Sequence, residues 1–155
     1  MNSSTTIEQV LRMKGRDFFS ISPGATAYEA LEVMAEKNIG ALLVVEEMNL
    51  VGVFSERDYA RKVILKGKSS KSTTVRELMS SPPICGCPAL TIRDCMAIMT
   101  DKHIRHLPIV EQGAIMGVVS LGDVVKMVIS EQDSLIQTLE NYVTDTDYRA
   151  RIYCP

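Results

Sequence analysis

The sequence predicts an α+β fold built from two pseudo-symmetric copies of one small unit, and three observations lead there. Residues 23–64 align with residues 88–129 at a constant offset of 65 without a gap, and 14 of the 42 aligned positions are identical. Both copies pass through the same order of helical and strand periodicities. The chain of 155 residues has the size of one ordinary domain, so two such units must bury their apolar faces against each other rather than extend as a solenoid.

Each copy opens on a helix whose start is marked by a capping box, Thr26 with Glu29 in the first and Thr91 with Asp94 in the second. Ala27, Ala30, Leu31 and Met34 then recur at helical spacing, as do Ile92, Cys95, Met96 and Met99, which gives each helix one buried stripe and makes its methionines core residues. Apolar runs follow at 41–45 and 107–110, then turns at 47–49 and 112–114, then runs at 50–54 and 115–119. Two strands joined by a hairpin account for this in each copy. Ser55 and Asp58 precede a helical stretch at 59–65, and Ser120 and Asp123 precede another at 124–129.

Each unit is therefore α-β-β-α, with a lead-in before it. The polar stretch 66–74 reads as a linker, and a short helix at 75–79 leads into the second copy. A similar segment at 6–11 matches 74–79 at an offset of 68, so the two lead-in loops differ by three residues. Beyond Ser130 the repeat ends, and Leu135, Leu139, Tyr142 and Val143 fall at helical spacing, which predicts a terminal amphipathic helix. The expected organisation is a first repeat with its lead-in over 1–65, a linker over 66–74, a second repeat over 75–129 and a terminal helix and tail over 130–155.

Composition narrows the function classes. The chain is 46% hydrophobic and 23% charged with a net charge of -2, which argues against disorder and against a nucleic acid as principal partner. No apolar stretch approaches membrane-spanning length and the start lacks a signal-peptide pattern, so no membrane association and a cytoplasmic location are expected. Cys85, Cys87, Cys95 and Cys154 are too few and too clustered for a disulfide framework and are read as reduced thiols. Cys85 and Cys87 lack a second ligand pair at zinc spacing, so no metal site is expected. His103 and His106 lie in HIRHLPIV, just before a buried strand and with no carboxylate or cysteine within that segment, which favours structural or ligand-edge roles over catalysis. Arg57, Arg61, Lys62, Lys66 and Lys68 read as a solvated helical face.

The segments GVFSERD and GVVSLGD, preceded by NIGALLVV and HIRHLPIV, resemble the CBS-domain family, and specifically a tandem pair known as a Bateman module. FSERDYARKV and KHIRHLPIV carry a closer similarity to small stand-alone bacterial CBS-pair proteins. The resemblance covers residues 6–129. It implies two repeats packed about a pseudo-two-fold axis, a tendency to form homodimers, and adenine-nucleotide binding in the clefts between repeats. AMP, ADP or ATP is the expected ligand, with S-adenosylmethionine or NAD as alternatives, and the regulated partner protein is left unspecified. The chain is not expected to be an enzyme, since it is too short to add a catalytic barrel of about 200 residues.

A nucleotide needs an apolar wall for its base, an acceptor for the ribose diol and donors for its phosphate. Asp123 can accept from both ribose hydroxyls, Ser120 can donate to a phosphate oxygen, and Gly122 leaves room for close approach. By resemblance the primary cleft combines Ser120, Gly122 and Asp123 with Val118, with Ile39 and Gly40 of the other repeat, with Lys14, Asp17 and Phe19 of the lead-in, and with Arg105 facing the phosphate. Pseudo-symmetry implies a second cleft, ranked lower, from Val53, Ser55, Arg57, Asp58, Ile84 and Ile104, where Arg57 either grips a phosphate or fills the space. The alternative is a ligand-free scaffold for dimerisation or protein interaction, because both Ser–Asp pairs also satisfy the capping-box pattern.

Overall fold

In the computed structural model the backbone of residues 5–152 and the side chains of residues 5–141 are described. The elements run α1 (Ile7–Lys14), β1 (Ser20–Ile21), α2 (Ala27–Lys37), β2 (Ala41–Glu46), β3 (Asn49–Ser55), α3 (Glu56–Tyr59) with a π-helical turn at Ala60–Ile64, α4 (Val75–Leu78), α5 (Ile92–Lys102), β4 (His106–Glu111), β5 (Ala114–Ser120) and α6 (Leu121–Ile152). The two α-β-β-α units that the internal repeat predicts are thus present.

The capping boxes form as the sequence requires. Thr26 accepts from the Glu29 amide at 3.2 Å while Glu29 accepts from the Thr26 amide at 2.7 Å, and Thr91 and Asp94 repeat the exchange at 3.1 and 2.9 Å. Both hairpins carry a register shift at the same place, between Val44 and Val45 and between Ile109 and Val110. Both turn through two residues at positive φ, Glu47 and Met48 in one, Gln112 and Gly113 in the other. Such a turn strongly favours glycine. Met48 is 89% exposed at φ 67 where its counterpart is Gly113, so Met48→Gly should raise stability by about 1 kcal/mol, the strain a left-handed side chain stores. Chemical denaturation would show it, and a loss of stability would contradict the turn geometry.

Two features were not foreseen. β1 pairs parallel to β2, with Ser20 opposite Leu43 and Ile21 opposite Val44, and is too short to show alternation in sequence. The lead-in helices are also exchanged. Ile7, Val10 and Leu11 of α1 pack with Ile92, Cys95, Met99, Leu107, Ile109, Val119 and Val124 of the second repeat, whereas Val75 and Leu78 of α4 pack with Ala27, Met34, Leu42, Val44 and Phe54 of the first. Backbone bonds fix each exchange: the Ile7 amide donates to Leu90 and the Ile92 amide to Thr5, while the Val75 amide donates to Ala25 and the Ala27 amide to Thr73. Each core is completed by the segment that precedes the other repeat, so neither repeat closes alone.

The polar stretch 66–74 is docked rather than free: the buried Thr73 donates its hydroxyl to Ser69, and the Tyr28 amide donates to Ser70. The second repeat's closing helix and the terminal helix expected beyond Ser130 form one continuous element, α6, of 32 residues, about 48 Å long at 1.5 Å per residue. No Gly or Pro interrupts residues 123–152, whereas the first repeat's closing helix ends near Gly67 at φ 64. Leu135 and Leu139 are exposed on α6, and Tyr142 and Val143 lie outside the described side chains.

Among the described residues Cys85, Cys87 and Cys95 are free thiols, and burial raises the Cys95 thiol to about 11. Cys154 lies outside the described residues. Among the described residues no helix is long and apolar enough to cross a membrane.

Candidate functional site

The strand-to-helix corner occurs twice. At β3–α3 Ser55 is the N-cap in extended conformation; its hydroxyl accepts from the Asp58 amide at 3.2 Å, and Asp58 accepts from the Ser55 amide at 3.0 Å. At β5–α6 the Asp123 amide donates to Ser120 at 3.1 Å and the Ser120 amide to Asp123 at 2.8 Å. The capping reading of both pairs is therefore realised. At Asp58 the cap falls on Oδ2 and Lys62 faces Oδ1, whereas at Asp123 the cap and Lys14 share Oδ2.

The two clefts differ beyond this point. A cavity of about 560 Å³ lies between the repeats at the Ser55–Asp58 corner, and Val53, Ser55, Arg57, Asp58, Ile84 and Ile104, the whole of the second-ranked set, line it. Gly40 and Arg105, grouped by sequence with the primary cleft, line this cavity as well. Arg57 does not fill the space: its Nη1 donates across the cleft to the His103 carbonyl at 2.9 Å. Asp58 also pairs with Lys62 at 3.1 Å.

Around Asp123 the structure brings together Lys14, Val118, Ser120 and Asp123, with Lys14 bridging two of them. Its Nζ donates to the Val118 carbonyl at 2.7 Å and to Asp123 Oδ2 at 2.6 Å. Burial alone would raise the Asp123 carboxyl, but Lys14 and the Ser120 amide outweigh it and hold the group below its ordinary 3.8. The tie is therefore complete above that ordinary value and is lost only as pH falls through the still lower folded value. A Cβ on Gly122 would stand 3.6 Å from Ser120 Oγ, so the glycine does keep this corner small. Phe19 is 41% exposed with its ring 5.6 Å beneath Lys37 Nζ, Ile39 packs on the first repeat's core, and Asp17 is exposed in the loop before β1.

His103 and His106, expected in structural or ligand-edge roles, border the cavity, and so do Arg61 and Lys102 and Ser80, Pro82 and Pro83, which sequence did not assign to it. Arg61 stands four residues from Arg57, a spacing that puts both on one helical face, which was read as solvated. His103 caps α5 in the left-handed conformation at φ 53. His106 lies over Gly40, 3.5 Å from where a Cβ would stand; burial lowers its basicity, while Asp123 and Glu56 act in the opposite direction. Among the described residues no group of three or more metal-ligating side chains occurs.

Two fused α-β-β-α units with exchanged lead-ins, like strand-to-helix corners and a cavity at the first of them define a paired-repeat module. The chain belongs to the CBS-domain family, whose model matches residues 7–64 and 75–130. It is 38% identical over 149 residues to the mitochondrial CBS domain-containing protein CBSX3 of Arabidopsis thaliana, covering 90% of this chain and 72% of that one. It is also 38% identical over 104 residues to the CBS domain-containing protein YhcV of Bacillus subtilis, covering 67% and 74%. Among solved structures, a putative signal-transduction protein with CBS domains from Burkholderia ambifaria superposes with a TM-score of 0.80 at 44% identity, covering 83% of this chain and 96% of that one. CBS-pair proteins are generally regulatory and nucleotide-binding.

Proposed function

We propose that this protein is a non-catalytic regulatory module that takes an adenine nucleotide, AMP, ADP or ATP, in the cavity beside Ser55 and Asp58 and passes its occupancy to a dimer or partner. The observation that carries this reading is the cavity itself, whose volume of about 560 Å³ falls in the range of about 300–1,000 Å³ usual for ligand sites. Its walls supply the three surfaces a nucleotide needs. Val53, Ile84 and Ile104 are apolar, Asp58 is an acceptor whose Oδ1 would exchange Lys62 for a ribose diol, and arginines from both repeats offer donors to phosphate. A ligand touching both repeats shifts the module only by the difference in its affinity for two arrangements. The exposed apolar residues of α6, among them Val125, Ile129, Ile136 and Leu139, are the surface we assign to a second copy that would read this shift.

Thermal melting with AMP, ADP, ATP, NAD and S-adenosylmethionine tests the reading, since a ligand at 100 times its dissociation constant adds about 2.7 kcal/mol. A melting temperature that none of the five moves would rule it out. Lys14 makes a further difference measurable. With Lys14 tied to Asp123 and Val118, titration calorimetry should find one nucleotide per chain, and Lys14→Met should admit a second. A wild-type stoichiometry of two would show that Lys14 does not close that cleft.

A further inference from the structure

The 65-residue offset shows which cavity side chains the fold requires and which it does not. Val53, Ser55, Asp58 and Ile104 have the same residue types at their counterparts Val118, Ser120, Asp123 and Ile39. The charged lining diverges: Arg57 stands where the other repeat has Gly122, Arg105 where it has Gly40, and His106 where it has Ala41. The other cleft forms the same hairpin and capping box with these small residues. Neither capping nor strand pairing therefore calls for the arginines.

The charge these residues carry is largely uncompensated. Arg57, Arg61, Lys102 and Arg105 line the cavity against only Glu56 and Asp58. Asp58 is already held by Ser55 and Lys62, and Lys102 pairs at 3.2 Å with Asp101, which does not line the cavity. Arg57 meets a neutral carbonyl, and no ion pair is formed by Arg61 or Arg105 among the described residues. Three guanidinium groups, two from the first repeat and one from the second, thus border one space without a carboxylate partner. A guanidinium fork matches two phosphate oxygens. Three forks offer more donors than the oxygens of a single phosphate can accept bidentately, whereas a chain of two or three phosphates gives the forks separate oxygens and more negative charge to meet.

We infer that the ligand of this cavity is a nucleotide with a chain of two or three phosphates, bound in preference to the monophosphate. This inference rests on the reading of the cavity as an adenine-nucleotide site. Titration calorimetry on the full chain with AMP, ADP and ATP in metal-free buffer should give affinities rising in that order. ATP should exceed AMP by about tenfold or more, the equivalent of one charge-assisted hydrogen bond, with the steeper salt dependence. Arg61→Ala and Arg105→Ala, checked for unchanged melting without ligand, should each weaken ATP about tenfold and AMP less than about threefold. AMP binding as tightly as ATP, or both variants weakening the two nucleotides equally, overturns the inference while leaving the site reading intact. Failure of all three nucleotides to bind removes the site reading itself.

Discussion

Leu11→Ala should destabilise the protein by about 2–5 kcal/mol, the range for a buried leucine truncated in a core that cannot collapse fully around the loss. Leu11 is 0% exposed, and its Cδ2 lies 2.9 Å from the Cβ that Gly117 lacks, so the side chain is seated where the second repeat's strand leaves room for it. Against a total stability of about 5–15 kcal/mol for a domain, the effect should lower the melting temperature by about 2–4 °C per kcal/mol. The chain has no tryptophan, so circular dichroism is the suitable probe. Exchange of lead-ins makes a sharper forecast. Leu11→Ala should couple with Met99→Ala, which shares its core, and add independently to Met34→Ala, which sits in the other. A cost below about 1 kcal/mol, or coupling to Met34 instead, would mean that α1 serves the first repeat.

Asp58→Ala should lower nucleotide affinity about 100-fold, because it removes a charged acceptor worth about 1.5–3 kcal/mol per hydrogen bond from a ribose that offers two. The same substitution removes half of the capping box on α3, with a stability loss of about 0.5–2 kcal/mol. The two effects separate by measurement: calorimetry with ATP reads the first and denaturation without ligand the second. Asp123→Ala supplies the control. It removes the equivalent cap and the Lys14 pair yet should leave ATP affinity at the other cleft within about threefold, far less than the loss of one charged hydrogen bond. If Asp58→Ala shows only the capping loss while wild-type protein binds ATP, Asp58 does not hold the ribose. If the wild type binds no nucleotide, the ligand-free scaffold is the better account.

Much of the fold was legible because its rules are local and are stated twice. Thr26 with Glu29 and Thr91 with Asp94 set the helix starts, the apolar alternation set the hairpins, and the offset of 65 residues paired them into two units. The Ser55–Asp58 and Ser120–Asp123 corners were legible for the same reason. What local pattern does not carry is which surfaces meet. The amphipathic segments 6–11 and 74–79 look alike, and either core could accept either helix by periodicity alone. The reciprocal bonds of Ile7 with Leu90 and Val75 with Ala25 chose the exchanged arrangement.

The same limit governed the clefts. Gly122 against Arg57 suggested that the roomier site lay at Ser120 and Asp123, since sequence shows the size of a side chain but not its direction. In three dimensions Arg57 extends across to the His103 carbonyl and leaves its cleft open, while Lys14, more than a hundred residues from Asp123 in the chain, folds onto that carboxylate and the Val118 carbonyl. The sequence by itself determined two like units and two like corners. Only the tertiary structure decided how each corner is furnished, because long-range hydrogen bonding to flexible charged side chains, and not local periodicity, sets which groups a corner presents.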